Sequence, residues 1–546
     1  MAFILFALFA GWLMADEANI TLAVVNARIW TGESAEPWAE AMAVRGDTIA
    51  VVGGNSAVRA ACGPQTRVID GAGRMIVPGF IDSHVHFLEG GMRLSGVQLR
   101  DARSREEFAR RIQAFAATVP PGTWILGGDW DHQQWGGELP TREWIDRVTP
   151  RHPVWANRLD GHMALANSLA LQAAGVTRET KDVSGGTIVR DAHGEPTGLL
   201  KDNAMALVER VVPPPSPEQQ DRALEAAMKH VAARGVTSVH HMGSWEDLEV
   251  FERAHRSGAL RTRIYAAVPL ATWPRLAERV RQSGRGDHWL RIGGLKGFVD
   301  GSLGSHTAAF IEPYTDLSSD TGLLVETEQN LYANTAGATR AGLHVMIHAI
   351  GDRANRMLLD IYERARRELD PADPRFRIEH AQHLAPQDIP RFKALGVIAS
   401  MQPYHAIDDG RWAERLIGAR RAETTYAFRS LLDSGARLAF GSDWYVAPAT
   451  PLEGLYAAVN RRTLDGKNPA GWVPAQKIKA EEALRAYTLD AAYASFEEKT
   501  KGSLVVGKLA DFVLLDWNLI EVAPEQLGAA RVVVTVAGGK VVHETQ

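Results

Sequence analysis

Along most of the chain, short apolar runs alternate with stretches whose apolar residues recur at helical spacing. Strand-like runs begin at Met75, Val236, Arg263, Ile292, His344, Phe376, Val397 and Arg437. Helices are predicted between them, among others over 217–234, 353–368 and 424–434. In the first of these, Ala223, Leu224, Ala227 and Val231 form an i, i+1, i+4, i+8 stripe. Eight strands alternating with helices predict parallel βα units closed into a (β/α)8 TIM-type barrel.

The two ends follow a different pattern. Leu22-Ala23-Val24-Val25, Ala41-Met42-Ala43-Val44 and Thr48-Ile49-Ala50-Val51-Val52 read as strands separated by turns such as Gly46-Asp47. Phe512-Val513-Leu514-Leu515, Val532 to Val536 and Lys540-Val541-Val542 repeat the style. Because chain termini often lie close together, residues 19–73 and 500–546 are expected to form one small composite β-sandwich. The barrel then takes residues 74–87 and 216–499. Residues 88–215, with strands of their own such as Trp124-Ile125-Leu126 and Val154-Trp155-Ala156, are expected to be an insertion after the first barrel strand that caps the active site. Pro213-Pro214-Pro215 marks its exit.

Residues 2–15 are uncharged and apolar. At about 1.5 Å per residue they are too short to span about 30 Å of bilayer core, but they suit the apolar region of a signal peptide. Residues 1–18 are therefore read as a leader and the protein as exported to the periplasm or beyond, with a cytoplasmic protein as the alternative. No stable membrane span is expected in the mature chain.

Composition narrows the chemistry. The chain of 546 residues has 45% apolar and 23% charged residues, which excludes a disordered chain. Its one cysteine, Cys62, excludes an intrachain disulfide and a four-thiolate zinc site. The net charge of −5 lacks the basic surplus of a nucleic-acid binder. Any metal must be held by carboxylates and by some of the 18 histidines. A small-molecule substrate is the expected partner, and homo-oligomerisation is left open.

Four strand ends carry such residues. Asp82-Ser83-His84-Val85-His86 places two imidazoles two positions apart, hence on one side of a strand. The strands ending at His348, at His380 and at Gly441-Ser442-Asp443 each add a ligand type at the same end of the barrel, where barrel chemistry sits. Lys296 lies inside the strand that begins at Ile292, as a rim residue, a substrate contact or, once carboxylated by CO2, a bridging ligand. By strand parity Glu379 should face away from His380 into the helix layer. His240 and His241 end the second strand, where only one can face inward. His383 would face away from the site unless the strand has already ended. Asp300 and His306 are expected in a turn. Trp124, Trp130, Trp135, Trp144 and Trp155 should form most of the insertion's core, with one or two lining an apolar pocket over the metals.

The ordered set His84, His86, Lys296, His348, His380 and Asp443 resembles the metal-dependent amidohydrolase superfamily. Gly294-Leu295-Lys296-Gly297-Phe298-Val299-Asp300-Gly301-Ser302, His348 to Asp352, Arg377 to His383 and Gly441-Ser442-Asp443-Trp444 are similar to its YtcJ-like branch, which includes N-substituted formamide deformylase. The resemblance runs from about Leu22 to the C-terminus. It implies one or two divalent ions, zinc in first place. His84 and His86 would hold the more buried ion with Asp443, His348 and His380 the second, and carboxylated Lys296 would bridge them. It also implies cleavage of a non-peptide C–N bond by a metal-activated hydroxide, with Asp443 as general base and then acid. His162, and with it His383 and His240, are candidates for substrate contact. A deaminase is disfavoured, because relatives of that type carry Glu where this chain has Gly351. An esterase or lactonase using the same nucleophile, and an idle binding or regulatory protein on the same fold, are the alternatives.

Overall fold

The computed structural model describes residues 19–545; the leader at 1–18, on which the expected export rests, lies outside the described residues. Its centre is an eight-stranded parallel sheet whose strands follow one another in chain order. They are Phe80–Val85, Val236–Met242, Arg263–Pro269, Leu290–Phe298, His344–Ala349, Arg377–His380, Ile398–Met401 and Arg437–Phe440. The strands are covered on both faces, as their near-continuous apolar runs require. The residues of Val236–Met242, for example, are all buried. Helix Pro217–Ala232 starts with Pro217 and a Ser216–Gln219 capping box, and buries Ala223, Leu224, Ala227, Met228 and Val231 along one stripe. Helix Asp352–Leu369 does the same with Ala354, Leu358, Ile361, Tyr362 and Ala365. The helix expected over 424–434 shortens to Phe428–Asp433, because Tyr426 takes a positive φ of 50°.

The sheet closes at its C-terminal end. Beyond Phe440 the chain turns onto the first strand, where Asp443 N donates to His84 O at 2.7 Å and His86 N donates to Trp444 O at 2.6 Å. Ser442 N adds a bond to the buried Asp82 carboxylate at 2.8 Å. This is a TIM-type barrel.

The first barrel strand is shorter than expected. Met75–Pro78 pairs antiparallel with Phe512–Leu515 and parallel with Arg28–Ile29, so it belongs to the sheet built from the chain ends, and the barrel starts at Phe80 rather than at 74. Gly79 makes the transfer: its N donates to Asp511 O, whereas Phe80 N donates to Gly235 O in the barrel. A Cβ on Gly79 would lie 2.2 Å from Thr237 Oγ1.

The ends form a four-stranded sheet in the order Thr48–Gly53, Ala41–Arg45, Leu22–Val25, Arg67–Asp70, and a six-stranded sheet in which Met75–Pro78 joins N-terminal to C-terminal strands. Val24, Ile29 and Met42 share one apolar cluster with Ile76, Leu514 and Val536. After Phe87 the chain builds a separate six-stranded sheet, from Val97–Gln98 to Pro196–Asp202, before helix Pro217–Ala232 returns it to the barrel. Trp130, Trp144 and Trp155 are buried in it, and Trp124 and Trp135 pack at the edges of its apolar clusters.

Arg263, at the foot of the third barrel strand, grips Asp511 with two bonds of 2.6 and 2.9 Å, both side chains being buried. Asp511 also accepts from Gly538 N. Asp511→Ala strands a buried guanidinium, so a loss of about 3–5 kcal/mol is predicted. It should appear as a lower denaturant midpoint, and an unchanged midpoint would contradict this fastening of the terminal sheet to the barrel.

Candidate metal centre

The strand ends deliver the expected side chains to one place. His84 ends the first strand and is fully buried, and His86 follows at the start of helix Phe87–Arg93. His86, Lys296, His348, His380 and Asp443 line one cleft of about 970 Å³ at the mouth of the barrel. Asp443 Oδ1 lies 3.4 Å from His84 Nε2 and 3.3 Å from His86 Nε2. Lys296 Nζ lies 3.3 Å from His84 Nε2. One ligand atom each of His84, His86 and Asp443 falls within 4.8 Å of the others, and the same holds for His380, His405 and Asp443. His348 stands beside these groups. Its ring is 4.5 Å from that of His380, but its Nε2 donates to Gly301 O at 3.0 Å, and it joins neither cluster.

Two backbone kinks aim the ligands. His380 and Asp443 have φ of 74° and 59°, in the left-handed region that side chains other than glycine seldom occupy. At His380 the kink breaks strand parity. Glu379 shares the inward face of its strand with Arg377, so it points into the barrel, and the expectation that it faces the helix layer is overturned. Its Oε2 accepts from His84 Nδ1 at 2.6 Å and from Arg377 Nη2 at 3.0 Å. An imidazole whose Nδ1–H is held by a carboxylate keeps its Nε2 lone pair free for a ligand. Gln402 does the equivalent for His380, accepting from Nδ1 at 2.8 Å.

The electrostatics suit a cation. Burial, helped by the Lys296 charge, lowers His84 to about 4, and burial with the neighbouring His348 holds His380 well below its ordinary value. Both are therefore neutral, the form that binds metal. Burial pushes the Asp443 carboxyl up, but His84, His86 and His380 together hold it well below the usual range, so it is anionic. Burial draws the Lys296 amine down to about 8 against the pull of Glu379 and Asp443. Asp443 Oδ1 and His405 Nε2 are buried with no hydrogen-bond partner. Orphaned buried polar atoms are costly, and a cation would satisfy them. The set of imidazoles and carboxylate fits a divalent ion with nitrogen and oxygen ligands.

The remaining candidates separate. His162 reaches the cleft from the insertion. Its Nδ1 donates to Asp202 Oδ1 at 2.7 Å, and although burial acts to lower its pKa, Asp202 carries it above the ordinary value. His240 lies beneath the centre, where its Nδ1 accepts from Arg377 Nη1 at 2.9 Å, and does not line the cleft. His241 turns outward to Asp247 and the amide of Phe87. His383 is tied to Thr425 Oγ1 at 2.8 Å and also stays outside the cleft. Asp300 gathers the amides of Ala309, Ile350 and Gly351 at 2.8–3.0 Å, fixing the loops after the fourth and fifth strands. His306 pairs with Asp316. None of the insertion's five tryptophans lines the cleft; its aromatic lining is Phe298, Trp412 and Tyr445. Arg158, Asp160, Asp408, Asp409 and His405 line it too and escaped the strand-end rule. His405 sits in helix Pro403–Asp409, past the end of the seventh strand, where strand parity no longer applies.

The model of the Amidohydrolase family matches residues 67–543. The chain is 43% identical to Protein LONG AFTER FAR-RED 3 of Arabidopsis thaliana over 95% of its own length and 91% of the relative's. It is 32% identical to the YtcJ protein of Bacillus subtilis over 88% and 91%. It is 29% identical to N-substituted formamide deformylase of Arthrobacter pascens over 96% and 98%. The crystal structure of an uncharacterized metal-dependent hydrolase from Pyrococcus horikoshii OT3 is similar at a TM-score of 0.75 and 29% identity, covering 92% of this chain and 99% of that one. Since the family match takes in the barrel, the insertion and strands from both ends, the chain belongs to the amidohydrolase family of metal-dependent hydrolases.

Proposed function

We propose that the chain hydrolyses a non-peptide C–N bond of amide type, with His84, His86 and Asp443 holding a divalent ion. The observation that carries this reading is the buried Asp443 carboxylate, whose Oδ1 faces the Nε2 atoms of His84 and His86 at 3.4 and 3.3 Å and has no hydrogen-bond partner. The ion, zinc in first place, supplies an acidified water and a polarised carbonyl. Asp443 would serve as the general base toward that water and as the acid toward the leaving nitrogen. Glu379, held by Arg377, fixes the His84 tautomer, and Gln402 fixes that of His380. Lys296, with its amine drawn down toward neutrality, would be suited to take up CO2 and, as a carbamate, to help hold a second ion with His348 and His380. His162, oriented by Asp202, is the proposed substrate contact from the insertion. The relative named N-substituted formamide deformylase supports cleavage at a C–N bond.

The reading predicts turnover within a panel of N-acyl, N-formyl and lactone substrates, confined to the first two. Turnover of lactones alone would replace it with the esterase reading, and an inert, metal-free protein would replace it with a binding role. Asp443→Asn should lower kcat/KM by at least about 10²-fold, the scale of a lost general base. Wild-type activity in that variant would remove Asp443 from the reaction. Glu379→Gln should weaken metal retention by about 10–100-fold in competition with a chelator. Unchanged retention would show that the carboxylate is not what orients His84.

A further inference from the structure

We propose that His405 is a metal ligand, making a second tripod with His380 and Asp443 beside that of His84, His86 and Asp443. This rests on the metal-dependent reading above and extends it to a residue outside the expected ligand set. Three observations point the same way. Ligand atoms of His380, His405 and Asp443 lie within 4.8 Å of one another, as do those of the first tripod. His405 Nε2 is buried and has no hydrogen-bond partner, although the ring sits on the wall of the cleft. An imidazole nitrogen left empty this way is expensive unless something else fills it.

The third observation is how the neighbouring side chains divide the work. Gln402 accepts from His380 Nδ1, which turns the His380 Nε2 lone pair toward a ligand. Gln402 and His405 lie on the same stretch, the turn from strand Ile398–Met401 into helix Pro403–Asp409. One segment therefore both orients His380 and adds an imidazole next to it. His348, the residue expected to share the second ion with His380, donates from Nε2 to the Gly301 carbonyl, which leaves its Nδ1 free, and it lies outside both clusters. Asp443 belongs to both tripods: Oδ1 faces His84 and His86, and Oδ2 lies 4.0 Å from His380 Nδ1. In this arrangement the seventh strand contributes to the metal centre along with strands one, six and eight. Imidazole from His405 also suits the same borderline metals as the other ligands.

The test uses the full chain, stripped of metal and titrated with cobalt(II) alone. Bound ions are counted by elemental analysis, and ligand loss is read from the visible absorption of the cobalt form. His405→Ala should remove or weaken one bound ion by more than about tenfold, the range that even an outer partner of a metal ligand commands. It should also change the cobalt spectrum, and leave the ion at His84, His86 and Asp443 in place. His405→Gln, closer in size, repeats the measurement, and circular dichroism confirms that both variants fold. If both variants take up as many ions as wild type, with the same affinity and the same spectrum, the assignment of His405 is overturned while the proposed function stands. If the wild-type chain itself takes up no cobalt, the metal-dependent reading fails and the His405 assignment with it.

Discussion

The structure turns on the seam where the end of the eighth strand meets the first. Two backbone hydrogen bonds, Asp443 N to His84 O and His86 N to Trp444 O, close the barrel at its mouth. They lie at the residues whose side chains converge on one carboxylate oxygen. Closing the sheet and assembling the first set of ligands are thus one event, because the backbone of Asp443 is bonded to that of His84 and the backbone of His86 to that of Trp444, the residue after Asp443. The buried Asp82 carboxylate, bonded to the Ser442 amide and hydroxyl, secures the seam from below. The positive φ at Asp443 is a local cost that this seam sustains, in keeping with the tendency of strained backbone to collect at functional sites.

Beneath the mouth, the barrel interior is polar where a core of this kind is usually aliphatic. His240, Arg377, Glu379 and His84 form a chain of contacts, all buried, with Arg377 also bonded to Ser83 O and Ser400 Oγ. His240 Nε2 is left without a hydrogen-bond partner, while every member is held by at least one bond of the network. Its consequence at the surface of the site is a neutral His84 with its Nε2 directed outward. The insertion closes the other side of the cleft with charged and polar groups. Arg158 bonds to Asp160, Ser302 bonds to the same carboxylate, and His162 leans on Asp202. The lining of the cleft therefore combines polar side chains of the insertion with Phe298, Trp412 and Tyr445, and takes in none of the insertion's tryptophans.

The barrel was legible because its strands are apolar on both faces and its helices carry clear stripes. The strand-end rule also brought His84, His86, His348, His380 and Asp443 to one end of the barrel, since those residues sit where the apolar run stops, and Lys296 joins them from inside its strand. What remained hidden depended on backbone geometry that residue types do not encode. A left-handed residue at His380 takes its side chain out of strand alternation, so that His380 and Glu379 both serve the interior. A single glycine, Gly79, moved Met75–Pro78 from the barrel into the terminal sheet while the apolar run continued across it. His405 lies on a helix past its strand, in a position that spacing along one strand cannot find. His383 and His240 share residue type and neighbourhood with the ligands, and only their bonds to Thr425 and Arg377 separate them from the cleft.

The central claim is that a divalent ion sits where strands one and eight meet. The most direct measurement is anomalous X-ray diffraction at the zinc edge from crystals of the full chain grown with zinc. The account predicts a peak within about 2.0–2.2 Å of a ring nitrogen of His84, a ring nitrogen of His86 and an oxygen of Asp443. A map in which these three side chains remain free of any peak would contradict it.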